Sequence, residues 1–160
     1  MIFVTVGSQK FQFNRLLRAL DEQLADGRIK DTVFAQTGSS DYKPVNYEYK
    51  PFLDRDEFFS VMKKADMVIT HGGTGAIMNA LKNGKKVIAV PRLAVHGEHV
   101  DNHQLQLISQ FNELNLIYEC DDCDELWKAV QQSSNNKYNT YQSNTQQIIE
   151  SIESFIDSIQ

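Results

Sequence analysis

Apolar positions along the chain fall into short β-branched runs separated by stretches with helical spacing. Residues 2–6 read as a buried strand, and Phe13, Leu16, Leu17, Leu20 and Leu24 then recur at helical intervals across 11–24 until Gly27 stops the helix. Strands are predicted at 32–36 and 45–49, followed by a helix over 54–65 with Phe58, Phe59 and Met62 on its inner side. A strand at 66–70, a helix at 73–83 ended by Gly84, a strand at 86–90 closed by Pro91 and a helix at 100–112 continue the alternation. Residues 116–118 and 124–132 make one more pair. Parallel strands need crossover connections, which are usually helical. The pattern therefore predicts an α/β fold, a Rossmann-like doubly wound parallel sheet covered on both faces.

From 133 to 147 the composition turns to Ser, Asn, Gln and Thr with no buried face. Ile148, Ile149, Ile152, Phe155, Ile156 and Ile159 then form a single apolar stripe. The expected organisation is a Rossmann-like domain over 1–132, a polar linker over 133–147 and an amphipathic helix over 148–160. That helix either packs back on its own domain or reaches outward to a partner. At 160 residues the chain is one domain, able to bury roughly 70% of its unfolded surface. It is too short for a two-domain transferase, because each domain runs about 100–150 residues.

Charge and cysteine content narrow the classes. Lys+Arg 16 against Asp+Glu 21 gives a net charge of −5, and the basic residues Lys63, Lys64, Lys82, Lys85 and Lys86 are dispersed, so no nucleic-acid partner is expected. The N-terminus lacks a basic region, its apolar run is too short for a signal peptide, and no window approaches the ~18–20 apolar residues of a membrane span. A cytoplasmic location is expected. Cys120 and Cys123 form a C-x-x-C pair with no second pair or nearby His pair, and read as structural.

In the strand order 3-2-1-4-5-6, ligands bind beyond the carboxyl ends of strands 1 and 4. Strand 1 ends in Gly7, Ser8 and Gln9; strand 4 ends in Thr70-His71-Gly72-Gly73-Thr74-Gly75 and runs into a helix. Free N–H groups at a helix N-terminus favour an anion, the alternative being glycines needed only for a tight turn. No Gly-Lys-Ser/Thr follows and no G-x-G-x-x-G follows the first strand, so NTPases and dehydrogenases are not signalled. Asp122 and Asp124 imitate a metal-binding pair but suit a helix cap better. The dense polar segment 91–104 holds His96, Glu98, His99, Asp101, Asn102, His103 and Gln104. His99 and His103 have the i, i+4 spacing of a zinc pair without H-E-x-x-H order or a third ligand, so no metal is expected. Hydrogen bonding of a polyhydroxylated ligand fits the Asn, His and Gln side chains, with loop and cap roles as the alternative.

Strand 1 with Gly7-Ser8-Gln9, the stretch K-P-F-L-D at 50–54, the run from Ala65 to Arg92 and the segment H-G-E-H-V-D-N-H-Q-L at 96–105 resemble glycosyltransferase family 28. The resemblance is to its C-terminal, donor-binding domain, equivalent to the C-terminal half of a GT-B glycosyltransferase. It is closest to the small subunits of split UDP-sugar transferases, in the eukaryotic dolichol pathway and in bacterial capsule and exopolysaccharide assembly. It covers roughly residues 1–130.

The resemblance implies that Gly7 and Ser8 approach the donor diphosphate from the first loop and Gly73, Thr74 and Gly75 from the helix N-terminus. His71 and Thr74 would stabilise the leaving group. Phe52 and Leu53 match the place that covers and reads the uracil, Leu53 through its backbone. His103 and Gln104 match the pair on the donor sugar hydroxyls, supported by Asp101 and Asn102. Asn79 stands where the family commonly has a glutamate on the ribose; an amide can bond the hydroxyls but brings no charge. The implied activity is inverting transfer from a UDP-sugar to a lipid-linked acceptor, with no cofactor. No general base is identified in this chain. A membrane-anchored partner subunit is expected to bring the base and the acceptor, and to hold the chain peripherally at the inner face of the membrane. The other readings are a non-catalytic enhancer of a partner transferase and a stand-alone UDP-sugar epimerase or hydrolase.

Overall fold

The computed structural model describes residues 1–158, so Ile159 of the predicted stripe lies outside the described residues. Six strands form one parallel sheet: β1 (Ile2–Thr5), β2 (Val33–Gln36), β3 (Glu48–Lys50), β4 (Met67–His71), β5 (Lys86–Val90) and β6 (Tyr118–Glu119). Their order is β3-β2-β1-β4-β5-β6, the predicted doubly wound arrangement. The helices are α1 (Asn14–Ala25), α2 (Arg55–Lys64), α3 (Thr74–Lys82), α4 (His103–Glu113), α5 (Leu126–Asn135) and α6 (Thr145–Ser158).

Side chains alternate across a strand, so neighbouring residues of β1 feed two cores. Ile2, Val4 and Val6 pack with Leu16, Leu17 and Leu20 of α1 and Leu126 and Ala129 of α5. Phe3 packs on the other face with Met62 of α2, Ile77 of α3 and Ile108 of α4. Burial on both faces is why the inner strands read as unbroken apolar runs.

Several elements begin two or three residues later than their hydrophobic pattern suggests, among them α1 at Asn14, β6 at Tyr118 and α5 at Leu126, and for two others the structure shows the cause. The third strand starts at Glu48 because the buried Asp21 carboxylate captures the preceding residues as a turn. It accepts from the N–H groups of Val45 at 2.8 Å and Asn46 at 2.7 Å and from the Tyr42 hydroxyl at 2.8 Å. Helix α4 starts at His103, since residues Ala94–His96 form a 3-10 turn and Asp101 Oδ1 accepts from the His103 N–H at 3.0 Å.

Past α5, Tyr138 donates to Ser133 Oγ at 2.9 Å and the Asn139 N–H donates to Asn115 O at 2.8 Å. Ile148, Ile149, Ile152 and Ile156 of α6 stay 42–53% exposed. Asp122 caps the short turn Cys123–Glu125, accepting from the Asp124 N–H at 2.9 Å. Burial pushes the Cys120 and Cys123 thiols up to about 12. Among the described residues no helix is long and apolar enough to cross a membrane.

Candidate functional site

The carboxyl ends of β1 and β4 meet at a histidine set between two glycines. Gly7 leaves β1 with φ +77°, a conformation that side chains rarely adopt, and a Cβ there would stand 2.6 Å from His71 Cε1. On the other side, a Cβ on Gly73 would stand 2.4 Å from His71 Nε2. The imidazole, buried at the last position of β4, therefore requires both glycines. Burial, with Arg92 and His99 nearby, lowers the His71 pKa to about 4. His71 is neutral at physiological pH and offers a hydrogen bond rather than a charge.

Beside it, α3 opens without a cap. Gly73 provides no side-chain hydrogen bond, and while the Ala76 N–H donates to Gly73 O at 3.1 Å, the N–H groups of exposed Thr74 and Gly75 have no side-chain cap; Ser8 lies exposed on the β1 loop. Backbone donors and the helix dipole converge on one spot suited to an anion.

The segment 91–104 forms a second wall, held by an ion pair between half-buried Arg15 and buried Glu98. Arg15 of α1 grips Glu98 with Nε and Nη2 at 3.0 and 2.9 Å and adds a bond from Nη2 to Pro91 O at 2.9 Å. Glu98 also accepts from the Leu93 N–H at 3.0 Å. Asn102 Oδ1 closes the loop on the Ala94 N–H at 3.0 Å. Asp101, whose carboxyl is held low by the His103 N–H and by His99, pairs with His99 Nδ1 at 3.2 Å. Gln104 is buried against Gly72, and its Oε1 accepts from the Arg92 N–H at 3.2 Å. Of the predicted sugar-contacting group, His103 is exposed, Asp101 and Asn102 brace the loop, and Gln104 has its amide nitrogen left for a ligand.

At the β2 side, Phe52 is 52% exposed. The Leu53 N–H donates to the buried Gln36 Oε1 at 3.1 Å, so of the Leu53 backbone expected to read a base the N–H is already engaged. Asn79 is the outlier. It lies about 7 Å further along α3 from Thr74, and its Oδ1 accepts from Asn83 Nδ2 at 3.1 Å. Among the described residues no group of three or more His, Cys, Asp or Glu is placed to hold a metal ion.

Residues 1–159 match the glycosyltransferase family 28 C-terminal domain. The chain belongs to that family. A UDP-N-acetylglucosamine transferase subunit, ALG13, of Kluyveromyces lactis is 34% identical over 86 residues, covering 51% of this chain and 42% of the relative's own length. The solution structure of an ALG13 aligns with TM-score 0.58 at 17% identity over 94% of this chain and 93% of that one. The kitacinnamycin glycotransferase aligns with TM-score 0.64 at 20% identity over 84% of this chain but 35% of that one. At these identities the two structures establish the fold.

Within this family 28 domain, three residues that hold the site together carried no role in the sequence. Gln36 orients Leu53, Arg15 locks Glu98, and Arg92 is fully buried beneath the first loop. Arg92 alone left a local signal, a charge directly following the apolar strand and Pro91. The partners of the other two are brought by topology, with Arg15 and Glu98 separated by 83 positions.

Proposed function

We propose that this chain is the donor-binding, catalytic subunit of a two-chain inverting glycosyltransferase. It moves a sugar from a UDP-sugar to a polyprenyl-diphosphate-linked acceptor in surface polysaccharide assembly. The observation that carries the reading is the uncapped N-terminus of α3, opening beside Gly7 and His71 where the strand order reverses. Membership of a transferase family and similarity to a protein named as a transferase subunit support it. So does the alignment with about a third of a longer glycotransferase.

The acceptor hydroxyl attacks the anomeric carbon from the face opposite the diphosphate. The new C–O bond forms as the bond to the diphosphate oxygen breaks, through an oxocarbenium-like state, and UDP leaves with the electron pair. The first-turn N–H groups of α3, Thr74 and Ser8 are fixed donors for that developing charge, and neutral His71 adds a hydrogen bond. His103 and the Gln104 amide hold donor hydroxyls, and Phe52 covers the base. A base on a membrane-anchored partner takes the acceptor proton. The chain itself sits peripherally at the inner face of the membrane through that partner.

The test is transfer of radiolabelled sugar to extracted lipid acceptor by the complex purified from native membranes. UDP-N-acetylglucosamine is the first donor to use, given the name of the Kluyveromyces relative. His103→Ala is expected to lower kcat/KM by about tenfold or more. A full rate in that variant overturns the donor-site reading and leaves the chain an enhancer of its partner. Consumption of UDP-sugar by the chain without acceptor or partner favours an epimerase or hydrolase instead.

A further inference from the structure

Arg92 is the largest fully buried side chain of the domain, at 0% exposure. From the end of β5 its guanidinium crosses to the loop that follows β1. There Nη2 donates to Val6 O at 2.7 Å and Phe11 O at 3.2 Å, the two residues that bracket the loop 7–10. The Phe13 ring lies 5.4 Å from the guanidinium carbon. Nε and Nη1 are buried with no acceptor. Glu98, the carboxylate that acts on Arg92, is engaged by Arg15 and the Leu93 N–H. Burial lowers the Arg92 pKa to about 10, so the group stays charged at neutral pH.

A buried cation held by carbonyl dipoles, with no counter-ion in contact among the described residues, is costly for the empty domain. An anion above the loop offsets that cost. Backbone support alone explains Nη2; it does not explain a permanent charge with two unmatched N–H groups under a loop that faces a helix N-terminus. We propose that Arg92 is an electrostatic positioning residue whose uncompensated charge, acting from beneath loop 7–10 without contact, makes the crevice prefer a nucleoside diphosphate to the uncharged nucleoside. This rests on the donor-site reading of the crevice.

Unit charges about 10 Å apart at an effective dielectric near 20 shift a binding constant by roughly tenfold. UDP and uridine are therefore titrated calorimetrically against the full chain and its Arg92→Gln and Arg92→Lys variants. The ratio of UDP to uridine affinity is expected to fall about tenfold in the Gln variant and to stay within about twofold in the Lys variant, which keeps the charge and a donor for Val6 O. Proton NMR of the His71 ring gives a second readout, moved by loss of the Arg92 charge and by any loss of burial beneath Gly7, and the Lys variant, which keeps the charge, separates the two. His71 faces Arg92 and His99, and its midpoint should climb from about 4 in the Gln variant and stay low in the Lys variant.

An unchanged ratio in Arg92→Gln, or equal losses in both variants with an unmoved His71 midpoint, overturns the proposal. If the Gln variant does not fold, Arg92→Met takes its place with the same expected fall of about tenfold, and an unchanged ratio in it, or a loss of about tenfold in the Lys variant, counts against a role for charge. Nucleotide binding with an unaltered ratio sinks only the Arg92 inference. A wild-type chain that binds no UDP sinks the donor-site reading and the inference with it.

Discussion

Helices α2 and α3 both start at the carboxyl-end face of the sheet, and their first turns are finished in opposite ways. At α2, Asp54 accepts from the Glu57 N–H at 2.9 Å while the Glu57 carboxylate accepts from the Asp54 N–H at 3.2 Å, a closed capping box. At α3 the cap is Gly73, with no side chain to give and no room for one beside His71. The α2 terminus spends its donors on its own chain and contributes stability. The α3 terminus leaves the Thr74 and Gly75 N–H groups without a side-chain cap, beside a buried, neutral imidazole. Satisfied and unsatisfied ends of otherwise similar helices thus separate scaffold from site.

Acid should break this contrast most severely. The folded state refuses a proton on His71 down to about pH 4, while the unfolded chain accepts it near 6.5. The unfolded state binds more protons across that window, so stability falls as pH drops from about 6.5 to 4, by on the order of 3 kcal/mol from this group. Urea unfolding at stepped pH should show that slope in the wild type and not in His71→Asn; the same slope in both would remove His71 as its source. Gly73→Ala comes next. Its Cβ would collide with a ring that has no space to withdraw, costing about 2 kcal/mol by overpacking, and UDP affinity should drop with it. Crystallisation of a variant with wild-type stability and an unshifted His71 would contradict that geometry. Asp54→Ala sharpens the comparison from the scaffold side. Loss of the box should cost about 1 kcal/mol in thermal or chemical unfolding and leave nucleotide affinity unchanged.

The backbone part of the candidate site was legible from residue order. Gly7, Ser8, Gly73, Thr74 and Gly75 sit at strand ends that hydrophobic periodicity locates, and the alternation of strands and helices predicts the parallel sheet, whose order the structure gives as β3-β2-β1-β4-β5-β6. Side-chain roles were less legible. Asp101 and Asn102 are read from the sequence as supports of the His103–Gln104 pair, and each uses an oxygen to shape the same loop, on His103 N–H and Ala94 N–H. Asn79 shows the same competition, with its Oδ1 taken up by Asn83 one turn along α3. Short polar side chains bond readily to nearby backbone, and spacing alone does not reveal whether that or a ligand wins.

The sequence by itself determined the doubly wound sheet, the two glycine-bearing loops at its switch point and membership of a transferase family, since these rest on local periodicity and contiguous motifs. Only the tertiary structure decided which polar groups are charged, paired or left over. It made His71 neutral by burial, matched Arg15 to Glu98 across the domain, and left Arg92 under the first loop without a counter-ion among the described residues. Those outcomes depend on dielectric surroundings and on partners distant in the chain, which exist only once the sheet has brought its strand ends together.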